Sequence, residues 1–147
     1  MAARIAPAET EDEIRASFAV MRELRTGFAD EAAYLDAVKR QMDAGYRLLL
    51  AWLDGTEGAE IVACAGWRFV EMLAYGRFLY VDDLITAERH RSEGYGDALM
   101  RWLEATARAA QCQFLSLDSG THRAAAHRFY FRQRLTITSF HFVRKLD

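Results

Sequence analysis

At 147 residues, with one proline and no Gly/Ser-rich or Pro-rich stretch, the chain is sized for a single domain, 1–147, without a linker. Apolar residues make up 52% and charged residues 27%, which supports a sizeable core and is ordinary for a globular protein. A net charge of −2 gives no global reason to expect nucleic acid as a partner, no apolar run approaches the roughly 20 residues of a membrane span, and the polar N-terminus lacks the apolar stretch of a leader, so the cytoplasm is the expected location.

In chain order, Ala2–Ile5 suits a short first strand. Thr10 followed by Glu13 is a capping box, and Ile14, Phe18 and Met21 then recur at helical spacing. A second helix is expected after Asp30, with Tyr34, Leu35, Val38 and Met42 on one face and a stop at Gly45. Tyr46–Leu53 is a strand-like apolar run closed by the Asp54-Gly55 turn, and Glu60–Val70 is its hairpin partner. A further strand covers about 77–86, and a break follows at Ala87–Glu93. Tyr95, Ala98, Leu99, Trp102 and Leu103 then form the apolar stripe of a strongly amphipathic helix. Gln113–Leu117 suits a short buried strand, and His122–Gln133 a helix. Leu135–Val143, rich in β-branched and aromatic residues, suits a final strand. This order predicts an α/β (α+β mixed) domain with a mixed sheet and helices on its faces.

Cys64 and Cys112 lie in apolar runs outside any metal or redox spacing, so both are expected as buried free thiols. No metal-ligand motif of the H-E-x-x-H kind occurs. Residues 8–60 are acidic on balance, whereas six bases fall between 119 and 147, an end suited to an anionic ligand.

The segment with chemical content is Arg91-Ser-Glu-Gly-Tyr-Gly96, between a strand and a helix. A small-residue turn at a helix start presents backbone N–H groups without intrahelical acceptors, and the helix dipole adds partial positive charge. Together these suit an anion, and Gly94 and Gly96 allow the backbone to approach it closely. The third glycine of the dinucleotide fingerprint is absent, because Leu99 stands there, and no phosphate-loop Gly-Lys-Ser/Thr motif exists.

Residues 80–100, read with Leu117-Asp-Ser-Gly and Ala126-His-Arg-Phe-Tyr130, resemble the GNAT superfamily of N-acetyltransferases. The resemblance covers the whole chain in layout and is specific over 80–100 and 115–131. It implies a central, mostly antiparallel sheet of six or seven strands flanked by about four helices, with strands 4 and 5 splayed. It also implies acetyl-CoA as co-substrate, with Leu84, Ile85 and Thr86 along the pantetheine arm. The pyrophosphate falls to the Arg91 loop, mainly to backbone groups of Ser92, Glu93, Gly94, Tyr95, Gly96 and Asp97. Ser92 replaces the commonest glycine, Glu88 a common proline, and Arg123 a frequent pantetheine-contacting asparagine. Glu93 places an acid where bases are frequent, and would repel phosphate unless turned away.

The implied activity is acetyl transfer by direct attack of an amine, from a small molecule or a peptide, in a ternary complex. Such an amine is protonated at neutral pH, with pKa values of about 8 to 10.4, so a base must take a proton. The oxyanion needs fixed donors, which the family implies near the Ile85 N–H. By the same resemblance, Tyr130 is the candidate acid for the departing thiol. Asp118 ranks first and Asp83 second as candidate base. Asp82 and Asp83 are adjacent on a strand, so at most one is expected in the cleft. His122 and His127 are more often hydrogen-bonded surface residues than catalysts. Two alternative readings are a non-catalytic acyl-CoA-binding sensor and a tRNA-directed acetyltransferase. Phe140 and Phe142 are candidates for pairing across a homodimer. The acceptor is not readable in the sequence.

Overall fold

The computed structural model describes residues 2–147. Its elements are β1 (Arg4–Pro7), α1 (Glu11–Met21), α2 (Glu31–Asp43), β2 (Arg47–Gly55), β3 (Gly58–Met72) and β4 (Gly76–Thr86), followed by a 3-10 turn (Glu88–His90), α3 (Tyr95–Ala109), β5 (Phe114–Leu117) and α4 (Ala124–Arg132). The chain forms two compact units, one ending at Ser116 and the other Leu117–Asp147.

The helix starts form as their residues dictate. Thr10 accepts from the Glu13 N–H at 3.1 Å, and Asp30 accepts from the Ala33 N–H at 2.8 Å, so each caps an otherwise unpaired donor. Gly45, at φ +103°, ends the turn after α2 and feeds β2. The sheet runs in the order β1-β2-β3-β4-β5, with β1 to β4 successively antiparallel. The connection from β4 to β5 runs through α3, as a crossover requires.

Both faces of the sheet are covered, which explains the unbroken apolar runs in β2 and β3. Leu48 and Leu50 join Ile14, Phe18, Tyr34 and Val38 in one cluster with α1 and α2. Leu49 alternates to the opposite face, where α3 packs on β2, β3 and β4 with Leu99 and Leu103 fully buried. Trp102 meets Trp67 edge-on at 5.9 Å there.

Three expectations are corrected. The sheet has five strands rather than six or seven, because Leu135–Val143 does not form a strand and residues 135–147 hold no regular secondary structure. A strand exists only through its ladder partner, and β-propensity expresses packing on a pleated surface rather than a backbone preference. Ile137, Phe140, Phe142 and Val143 are instead exposed. Cys64 is fully buried, but Cys112, just past the end of α3, is only half-buried. β5 is half-buried, with Phe114 exposed at its start and stacked on Tyr75 at 4.8 Å. Among the described residues no helix is long and apolar enough to cross a membrane.

Candidate active site

A cleft of about 720 Å³ opens beside β4. The segment after α1, α2, the start of β2 and the middle strands supply its walls, including Arg25, Tyr34, Tyr46, Arg68, Asp82 and Asp83. Strict alternation would send Asp82 and Asp83 to opposite faces, yet both line this cleft. The reason lies in the β3–β4 register: Gly66 pairs with Asp83 and Trp67 with Val81, so Asp82 is an extra residue without a partner. Such a bulge turns the strand and re-aims the side chains around it. The expectation that at most one of the two aspartates reaches the cleft is therefore wrong.

The two carboxylates do not form a dyad. Asp82 takes a forked ion pair from Arg68, with contacts of 2.8–3.2 Å, and this raises the Arg68 guanidinium above its ordinary pKa. Asp83 accepts from Arg25 Nε at 2.7 Å on one oxygen and from the Tyr46 hydroxyl at 2.8 Å on the other. Arg25 also reaches the Asp82 carbonyl at 2.9 Å, so one guanidinium ties the end of α1 to both bulge residues. Burial, and then the Asp83 charge, push the Tyr46 phenol far above its ordinary pKa, so it stays a donor.

Tyr46 reaches Asp83 only because residue 66 has no side chain. A Cβ on Gly66 would lie 1.9 Å from the Tyr46 hydroxyl oxygen and 2.3 Å from its Cζ. The phenol thus crosses β3 where the bulge sits. Below it, Tyr34 shares a 2.7 Å hydrogen bond with buried Ser17. Nothing in the sequence marks Tyr46, Gly66, Arg25 or Arg68 as site residues, because their grouping depends on strand register.

The loop after β4 leads from the strand end into α3. Leu84, Ile85 and Thr86 pair with Ala65, Cys64 and Ala63, and this places the end of β4 next to the turn. Arg91 lies in the loop with its Nε toward the Thr86 carbonyl at 3.5 Å. Ser92 adopts φ +65°, a left-handed conformation that accounts for the preference for glycine there. Gly94, at φ +90°, is the N-cap of α3 and offers no side chain to the first turn. The first helical bond runs from the Ala98 N–H to the Gly94 carbonyl, so Tyr95, Gly96 and Asp97 present N–H groups that precede the helical ladder. Open space surrounds the place where a Gly94 Cβ would lie.

The acid at 93 is engaged by a neighbour. A Glu93 oxygen lies 3.1 Å from His90 Nδ1, and His90 Nε2 lies 3.1 Å from Glu60. Asp97 is ion-paired with Arg101 one turn on.

In the second unit, Asp118 is exposed and lies 3.5 Å from His141 Nδ1. Tyr130 sits half-buried in α4 beside Phe129, with ring centroids 5.7 Å apart. His127 donates from Nε2 to the Gly120 carbonyl at 2.8 Å, a structural bond across the turn before α4. His122 packs against Gly120, where a Cβ would approach its ring to 2.6 Å. Arg123 is the N-cap of α4 and makes no side-chain cap bond, a role that an asparagine in its place would suit. Among the described residues no group of three or more His, Cys, Asp or Glu side chains is placed to hold a metal ion.

Known proteins share this layout. A transcriptional regulator from Bacillus halodurans C-125 matches with a TM-score of 0.83 at 21% identity, with 98% of this chain and 99% of that chain covered. The ribosomal-protein-alanine N-acetyltransferase of Brucella melitensis biovar Abortus 2308 matches with a TM-score of 0.81 at 17% identity, with 99% of this chain and 100% of that chain covered. At those identities the likeness is one of fold. In sequence, the chain is 34% identical over 134 residues to the uncharacterized N-acetyltransferase YhdJ of Bacillus subtilis (strain 168), with 90% of this chain and 92% of the relative covered. The model of the acetyltransferase (GNAT) family matches residues 12–134, a span that takes in the cleft, the bulge and the uncapped start of α3. By that match and that relative, the chain belongs to the GNAT family and is an acetyl-transferring enzyme.

Proposed function

We propose that the chain takes acetyl groups from acetyl-CoA and delivers them to an amine seated in the cleft beside β4. The observation that carries this reading is the start of α3, entered through a left-handed Gly94 and left without a side-chain cap. The N–H groups of this first turn and the partial positive charge of the helix end suit a pyrophosphate. Of the two acids here, Glu93 lies against His90 and Asp97 is paired with Arg101. The residues present therefore fit the coenzyme: Ser92 to Asp97 would hold its pyrophosphate and Leu84 to Thr86 its pantetheine arm. When bound, it supplies an activated thioester.

The chain's own groups would do the rest. Asp83 lines the cleft and immediately precedes Leu84, so it is the proposed acceptor of the amine's proton, directly or through one water. It displaces Asp118 from first rank, since Asp118 is exposed and paired with His141. Arg25 and Tyr46 fix the orientation of the Asp83 carboxylate. Tyr130 Oη is the proposed proton donor to the departing thiol.

Calorimetry with acetyl-CoA, combined with CoA release over an amine panel, tests this reading. Tyr130→Phe should leave coenzyme affinity within about twofold and lower kcat on the order of a hundredfold, the usual scale of general acid catalysis. Unchanged turnover removes the acid role from Tyr130. No coenzyme binding by the folded wild-type protein removes the whole reading.

A further inference from the structure

The cleft's charged groups are matched one to one. Asp82 faces Arg68, and Asp83 faces Arg25. A pocket selecting a diamine or polyamine would present carboxylates in excess, whereas here guanidiniums equal carboxylates in number. The arginines, however, are not used up. Arg25 bonds through Nε and Nη2, and Arg68 does the same, its Nη2 also donating to Gln41 at 2.9 Å. A guanidinium carries five N–H donors in a rigid fork, and the Nη1 side of each belongs to none of these bonds. That side is the part of the fork suited to a carboxylate or phosphate.

The cleft is also graded. The Asp83 side chain is 14% exposed, while that of Arg25 is 49% exposed, so the carboxylate lies deep and the guanidinium reaches the mouth. Asp83 adjoins Leu84, where the proposed pantetheine arm begins.

We infer that the acceptor is an amine bearing its own anionic group, a carboxylate or a phosphate. The amine end meets Asp83 at the floor, and the anion takes the outer donors of Arg25, with Arg68 beside it. This rests on the acetyltransferase reading of the cleft given above.

The test uses the full-length chain with CoA present and four acceptors of equal length: an ω-amino carboxylate, an ω-aminoalkyl phosphate, a neutral ω-amino alcohol and a diamine. Calorimetry should show at least one anion-bearing amine binding on the order of tenfold tighter than the alcohol and the diamine, the scale of one charge-assisted bond. The tighter of the two anions identifies the source. Arg25→Gln should erase the preference, and Arg25→Lys should retain most of it. Arg68→Gln provides a second probe if Arg25→Gln does not fold. Equal affinity for the amino alcohol or the diamine, no binding of any acceptor, or a preference that survives in every foldable glutamine variant overturns the inference. CoA release from acetyl-CoA, measured in parallel, separates the two claims. Anion-selective binding without CoA release sinks the transferase reading and keeps the ligand class. CoA release indifferent to the anion does the reverse.

Discussion

At the scale of single residues, the cleft depends on an absence. Gly66 leaves the path by which the Tyr46 hydroxyl reaches Asp83 across β3. Gly66→Ala inserts a Cβ into the phenol, so Tyr46 must leave its rotamer or β3 must shift. Overpacking of this kind costs about 1–3 kcal/mol, and Asp83 loses one of its two orienting donors. Urea melts should show that loss, with kcat/KM for the acceptor falling as well. A stability change under about 0.5 kcal/mol, within the range of neutral surface substitutions, would show that Tyr46 does not need its present place. Asp83 was visible in the sequence as a candidate carboxylate. Its partners were not, because Arg25 lies 58 positions away and only the folded sheet brings the two together.

At the scale of elements, the turn from β4 into α3 is a backbone device. Ser92 and Gly94 both sit at positive φ, but only Gly94 does so without the crowding that an L side chain brings. Two substitutions should therefore move stability in opposite directions. Gly94→Ala forces an L residue to φ +90° and should cost about 1–2 kcal/mol, while weakening acetyl-CoA binding. Ser92→Gly relieves the same penalty two residues earlier, offset in part by the greater freedom of glycine when unfolded, for a net gain of about 0.5–1 kcal/mol. Thermal melts with and without coenzyme check both, and equal melting points for the two variants would contradict this account. The element was legible in the sequence because its signal is local: glycine spacing, a polar turn and an amphipathic stripe all fall within a few residues. The final strand was misread for the complementary reason. Leu135–Val143 has the composition of a strand, but composition cannot supply the ladder partner that defines one.

At the scale of the molecule, the buried core holds three groups that must keep their protons. Burial pushes the Cys64 thiol and the Tyr34 phenol up, and burial with the Asp83 charge pushes Tyr46 up. In the unfolded chain a thiol ionises from about 8.5 and a phenol from about 10. Above those values the folded state binds more protons than the unfolded one, so stability falls as pH rises, by up to about 1.4 kcal/mol per pH unit for each group. Urea melts should be level from pH 7 to 8, decline from about 8.5, and steepen beyond 10. Cys64→Ala should remove the decline between 8.5 and 10, and an identical slope in the variant would exclude Cys64 as its source. By itself, the sequence determined the order of helices and strands as far as α4, the helix caps and the anion-ready turn, since each rests on periodicity or hydrogen bonds spanning a few residues. Only the tertiary structure decided that Asp82 and Asp83 share a cleft, that each has its own arginine, and that the chain after α4 forms no strand. Those outcomes depend on how one strand registers against another, and register is set when distant segments meet.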